Sequence, residues 1–136
     1  MGMKILLAED DFASRKFMGK YLGKYGECDI TVDGREALDA FVMAWEDKEP
    51  YDLLCLDIMM PVMDGFQVLE KIRQMEDEKK LPPDKRVKII MTTALNEEKN
   101  VKKAFHMECT AYIGKPIDVE KFDVLFRKLF QEDVWM

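Results

Sequence analysis

A single histidine, His106, and three cysteines, Cys28, Cys55 and Cys109, are the only imidazole and thiol groups in the 136 residues. The cysteines are odd in number and far apart, which excludes a metal-like pairing. They read as reduced packing residues of a cytoplasmic protein. No evident tie joins His106 to any of them, so thiol catalysis is set aside. No apolar run approaches the ~18 residues of a membrane span. The N-terminus enters a strand-like run at once, so no signal peptide is expected. Leu6 excludes the usual myristoylation pattern. Positive charge is also short: 21 Lys and Arg stand against 27 Asp and Glu, a net charge of −6. Direct nucleic-acid binding, which calls for a basic surface, is therefore not expected. No internal repeat and no linker interrupt the chain, so residues 1–136 read as one domain with a core at about 4–130. No effector domain is expected after Phe130.

The chain is well supplied with core material. Nearly half of it, 48%, is hydrophobic and 35% is charged. The most informative stretch is Leu53-Leu-Cys-Leu-Asp57, an apolar run that ends in a carboxylate. Such a run, bounded by turn signals, reads as a buried strand. Pro61 and Asp64-Gly65 then turn the backbone into a loop.

Around it the chain alternates. Lys4 to Ala8 is a strand, and Asp11 can cap the next helix. That helix carries Phe17, Met18, Tyr21, Leu22 and Tyr25 at helical spacing, and Gly26 stops it. Cys28 to Val32 is a second strand. Asp33-Gly34 is a turn, and Ala37, Leu38, Phe41, Val42 and Trp45 trace a helix ended by Pro50. A third helix starts near Asp64 and buries Val68, Leu69, Ile72 and Met75. Its tail dissolves into Glu76 to Lys80, a charge run read as a solvated face. Pro82-Pro83 forces an irregular loop. Val87 to Met91, running into Thr92-Thr93, is a fourth strand. The next helix has Val101, Ala104 and Phe105 as its apolar stripe. Ala111 to Gly114 is a fifth strand, and a last helix runs from about Asp118 to Gln131. Strand and helix alternating five times predict an α/β fold, a doubly wound five-stranded parallel sheet with five helices.

That topology gathers chemistry. All strand carboxyl ends of a parallel sheet share one edge, where ligands of open α/β sheets bind. Glu9 and Asp10, Asp57, Thr93 and Lys115 each follow or end a strand. Three crowded carboxylates raise one another's pKa. A divalent cation relieves this, and an all-oxygen donor set suits Mg2+. Lys115 adds a fixed positive charge, and the Thr93 hydroxyl can donate to an oxyanion. The set suits an aspartate nucleophile, Asp57, that takes a phosphoryl group to form an acyl phosphate.

Four pieces of the chain, in order, resemble one known family. They are Lys4-Ile-Leu-Leu-Ala-Glu-Asp10, Leu56-Asp57-Ile-Met-Met-Pro61-Val-Met-Asp-Gly65, Met91-Thr-Thr93-Ala94 and Tyr112-Ile-Gly-Lys115-Pro116. The family is the receiver domain of two-component response regulators. The resemblance implies a flavodoxin-like fold, with Asp57 as phosphoacceptor for a sensor histidine kinase or a phosphotransfer protein. It implies Mg2+ held by Asp10, Asp57 and the backbone carbonyl of Met59, with Glu9 acting through water. It also implies Thr93 and Tyr112 as a switch pair, Lys115 as the phosphate contact, and a cis Lys115-Pro116 bond. The acidic pair is Glu9-Asp10 where the family more often has two aspartates. A shift of register by one would put Asp11 in place of Asp10, and Arg15 favours the register given. Thr92 is the alternative hydroxyl to Thr93. The loop from Glu76 to Arg86 is long for the family.

Three other readings compete. An aspartate-nucleophile phosphohydrolase resembles a pattern with a second Asp two residues after the nucleophile, and Met59 stands there. A flavin or nucleotide module needs a Gly- or Ser/Thr-rich loop after the first strand, and Glu9-Asp10-Asp11 occupies it. A phosphorelay intermediate would pass its group on; His106 reads as a surface residue rather than a relay histidine. The expected output is a switched surface on the fourth helix, fifth strand and last helix, carrying Lys99, Lys102, Lys103, Tyr112 and Lys121. It would meet an output protein of acidic character or a second copy in a homodimer. Met59 and Leu95, both apolar, flank the site and predict slow loss of the phosphoryl group.

Overall fold

A computed structural model describes residues 2–94 and 98–130; the expectations for Leu95 and Gln131 lie outside them. The elements are β1 (Met3–Ala8), α1 (Phe12–Leu22), β2 (Gly26–Thr31), α2 (Gly34–Glu46), β3 (Leu53–Asp57), α3 (Gly65–Glu78), β4 (Lys88–Thr93), α4 (Glu98–His106), β5 (Ala111–Gly114) and α5 (Val119–Phe130). The five strands form one parallel sheet in the order β2-β1-β3-β4-β5. This is the doubly wound arrangement that the alternation predicts.

Side chains alternate across each strand, so the sheet feeds two cores. Leu6, Leu54, Leu56, Ile89 and Met91 pack with Phe41 of α2 and Leu69 and Ile72 of α3. Ile5, Leu7, Leu53, Cys55 and Ile90 pack with Met18 and Leu22 of α1 and Phe122 and Phe126 of α5. All five residues of β3 are buried, as an apolar run covered on both faces requires. Phe41 and Phe122 are fully buried, and each contributes about 2–3 kcal/mol by leaving water.

Several local expectations shift. Helix α1 ends at Leu22 with Gly23 as its cap, not at Gly26. Gly26 instead opens β2, where a Cβ would lie 2.1 Å from the Met3 carbonyl oxygen. Tyr25 lies beyond the helix and stacks on Phe126, with ring centroids 3.8 Å apart. Phe17 is half exposed and stacks on Tyr21. Asp33 is the N-cap of α2, accepting a hydrogen bond from the Glu36 amide. That helix stops at Glu46, before Pro50 is reached.

The charge run is the largest departure. Helix α3 continues to Glu78, and Glu76 is 1% exposed rather than solvated. Its carboxylate is held by Arg73 at 2.7 Å and by the Val87 amide at 2.8 Å. Phe105 is half exposed, and Ala104 is the residue of α4 that reaches the core.

Candidate functional site

The rim of the sheet is built by strand ends. The Glu9 amide donates to the Thr31 carbonyl, the Ile58 amide to Thr92, and the Lys115 amide to Thr93. The ladder thus continues past the last strand residues and fixes where their side chains begin. Asp11 caps α1 by accepting from the Ser14 amide at 2.9 Å, which holds its carboxyl below the usual aspartate range. It is therefore engaged away from the acidic cluster. That cluster is Glu9, Asp10 and Asp57, each offering a carboxylate oxygen within 4.8 Å of the others.

Glu9 and Asp57 are buried and Asp10 is exposed. The Lys115 ammonium lies 2.5 Å from Glu9 and 3.1 Å from Asp57. Glu9 also accepts from the Asp11 amide at 3.1 Å. Burial, then the charge of Glu9, pushes Asp57 up to about 7, against the opposing pull of Lys115. Burial alone would lower the Lys115 pKa; its bond to Glu9 and the charges of Asp57 and Glu9 outweigh this and raise it. One ammonium thus serves two buried carboxylates while a third stands at the surface. The deficit of positive charge, together with an all-oxygen donor set, fits a hard divalent cation such as Mg2+.

The loop after Asp57 is packed tightly beneath this cluster. A Cβ on Gly65 would lie 2.4 Å from the Asp57 carbonyl oxygen, and one on Gly34 would lie 1.9 Å from that of Met63. Asp64 and Gln67 form a reciprocal capping box that starts α3 close to the nucleophile candidate. Met59 is largely exposed. Thr93 and Thr92 are both buried. Strand alternation puts Thr93 on the face of Met91, whose core is the one that half-buried Tyr112 packs against, and Thr92 on the other face. The Lys115-Pro116 peptide is cis.

Arg15, which in the sequence serves only to choose a register, has a structural part at this rim. It donates to the carbonyls of Glu9 at 3.2 Å and Asp10 at 3.1 Å. It braces the backbone that carries the acidic pair. A basic residue one turn into a helix that follows an acidic loop is the signal that finds it. His106 is exposed on α4. Burial pushes the thiols of Cys28 and Cys109 up to about 11, which keeps them unreactive. A cavity of about 900 Å³, lined by Trp45, Tyr51, Met75 and Leu81 among others, lies at the opposite edge of the sheet and includes none of the acidic cluster.

Known proteins share this fold. The family model for the response regulator receiver domain matches residues 5–127. The "Probable transcriptional regulator ycf29" of Porphyra purpurea is 34% identical over 98% of this chain, which covers 59% of that protein. The chain thus spans little more than half the length of that curated relative. The chemotaxis protein CheY of Treponema pallidum is 33% identical over 87% of this chain and 76% of its own length. Among solved structures, a CheX-CheY-BeF3-Mg2+ complex from Borrelia burgdorferi matches with a TM-score of 0.77 and 26% identity, over 94% of this chain and 89% of that one. From strand order, rim and family model together, this chain belongs to the response regulator receiver domains of two-component signalling.

Proposed function

We propose that the chain is a Mg2+-dependent phosphoacceptor, modified on Asp57 by a histidine kinase or a phosphotransfer protein, and that its output is a changed protein-binding surface. The observation that carries this is the charge arrangement at Asp57: a buried carboxylate at a strand end, beside Glu9 and Asp10 and hydrogen-bonded to Lys115. In the reaction an Asp57 oxygen attacks phosphorus, the bond from phosphorus to the donor breaks, and the donor leaves with that electron pair.

Asp10, Asp57 and the Met59 carbonyl would hold the cation, and Glu9 would act through a water. Bound Mg2+ would offset the charge of the phosphoryl oxygens and orient them. Lys115 would move from its carboxylate partners towards the phosphoryl group. Thr93 would donate to it, and Tyr112, on the same face, would follow Thr93. A phosphoryl group adds about −1.5 to −2 of charge near neutral pH, by analogy with phosphorylated hydroxyls. That charge would bias the face made by α4, β5 and α5 towards an acidic output partner or a second copy of the chain. Residues 1–136 act as a receiver unit in the cytoplasm.

Exposed, apolar Met59 stands where a phosphohydrolase would need its general acid, which supports a single slow cycle over turnover. The test is incubation with a small phosphodonor and Mg2+, read by intact mass. One phosphoryl group should be gained by the wild type and none by Asp57→Asn. Equal modification of the variant would refute the assignment. A relay would appear as loss of the label to an added phosphotransfer protein with no change on the α4, β5 and α5 face.

A further inference from the structure

Far from the acidic cluster, one buried guanidinium joins three parts of the chain. Arg73 of α3 donates through Nη1 to Glu76 at 2.7 Å and to the Val87 carbonyl at 3.0 Å. Its Nε donates to the Glu108 carbonyl at 2.9 Å, and its Nη2 reaches the Thr110 hydroxyl at 3.5 Å. The same hydroxyl accepts from the Ile89 amide, and the Thr110 amide donates to the Ile89 carbonyl, both at 2.8 Å. Arg73 thus ties α3 to the start of β4 and to the turn between α4 and β5. A planar fork with several fixed donors can span such a set, whereas a lysine ammonium is a single point.

A second observation falls on the same turn. Glu108 has φ of 70°, the left-handed turn that commonly ends a helix and that Lys48 and Lys80 also adopt after α2 and α3. What sets Glu108 apart is that its carbonyl accepts from the buried Arg73 guanidinium. The Glu108 amide closes on the Phe105 carbonyl and the Cys109 amide on Ala104, and both Ala104 and Cys109 are buried. The C-terminal end of α4 is therefore fixed to the core from three sides. Further towards its N-terminus, Lys99, Lys102 and Lys103 are exposed.

The geometry points to Arg73 as the positioning residue of a hinge: α4 answers phosphorylation by turning about its C-terminal end, with Glu108–Thr110 held still. This rests on the phosphoacceptor reading above. The altered surface is then confined to the N-terminal half of α4 and to Tyr112. Phe105 and His106 present the same surface in both states. Arg73 also fixes the start of β5, and so the height at which Tyr112 and Lys115 arrive at the rim.

Amide hydrogen exchange on the whole chain tests this, with and without BeF3 and Mg2+ as a phosphoryl mimic. Arg73→Met leaves Glu76 buried without a cation and risks unfolding. Arg73→Lys keeps the charge and loses the fork, so it is the informative variant. In the wild type the mimic should change exchange at residues 99–103 and leave 106–110 unchanged. In Arg73→Lys the change should spread into 106–110. Without the mimic, exchange at Ile89 and Thr110 should be faster in Arg73→Lys by about tenfold, the factor expected from losing one ionic hydrogen bond, while Leu54–Leu56 stay protected. Wild-type changes at 106–110 as large as those at 99–103 would overturn the hinge. Identical exchange in wild type and Arg73→Lys would overturn the role of Arg73. A mimic that perturbs nothing near Asp57 would defeat the phosphoacceptor reading instead; the mimic-free rates at Ile89 and Thr110 then decide the clamp alone.

Discussion

Asp57 should cost the metal-free protein stability, and removing its charge should return it. Its pKa stands at about 7, against an ordinary value of 3.8, because it is buried beside Glu9. A difference of roughly three units corresponds to about 4 kcal/mol between the charged and neutral forms. Asp57→Asn imitates the neutral form, but its amide adds donors beside the Lys115 ammonium, and an unmet donor costs about 1–3 kcal/mol. The net expectation is a gain of about 1–3 kcal/mol for Asp57→Asn at pH 8 in chelator. The sign with pH follows from the raised pKa. The folded protein binds the proton more tightly than the unfolded chain, so wild-type stability increases as pH falls through about 7 towards 4. The variant lacks this increase, and its advantage should vanish by about pH 5. Urea denaturation of both proteins with EDTA at pH 5 and pH 8 measures this. Mg2+ at ten times its dissociation constant should then add about 1.4 kcal/mol to the wild type and much less to the variant. A variant less stable than wild type at pH 8, or an advantage that does not change with pH, would refute the electrostatic account of the site.

Asp10→Asn should weaken Mg2+ binding by about tenfold or more, while Asp11→Asn leaves it nearly unchanged; a Mg2+ titration that ranks them the other way would mean the acidic register is wrong. Asp11→Ala should instead lose about 1 kcal/mol of stability through the lost cap, read from its urea midpoint. Gly65→Ala forces a methyl against the Asp57 carbonyl and should cost about 2 kcal/mol or more together with Mg2+ affinity; tolerance on both counts would contradict the tight loop packing. Replacing Met59 and Leu95 together with polar residues should speed decay of the phosphorylated form by roughly tenfold, tracked by intact mass; an unchanged rate removes water exclusion as the reason for slow loss.

The sheet was legible because its signals were one-dimensional. The run from Leu53 to Leu56 has no polar residue, and only a strand buried on both faces accommodates it. Alternation with helices then set the parallel direction, and parallel direction alone brought Glu9, Asp57, Thr93 and Lys115 to one rim. Features that depend on pairing in space stayed hidden. Glu76 sits among four other charged residues and looks solvated until Arg73, three residues back on the same helix, is seen to bind it and the Val87 carbonyl together. Tyr25 continues a helical period, but α1 has already ended at Gly23, and its ring serves α5 instead. Phe17 and Phe105 are apolar at helical spacing yet half exposed, since periodicity marks a face and not how deep it is buried.

The position of Lys115 has a consequence for biosynthesis. Glu9, Asp10 and Asp57 leave the ribosome before it does, because synthesis runs from the N-terminus. A nascent or truncated chain that lacks β5 can pair four strands, yet it would bring two buried carboxylates together with no ammonium between them. Such a fragment would depend on protons, water or a divalent cation to offset those charges, and its open rim would expose it to proteolysis. The counter-charge thus arrives with the last strand, at the sheet's edge, and it acts as a check that the sheet is complete.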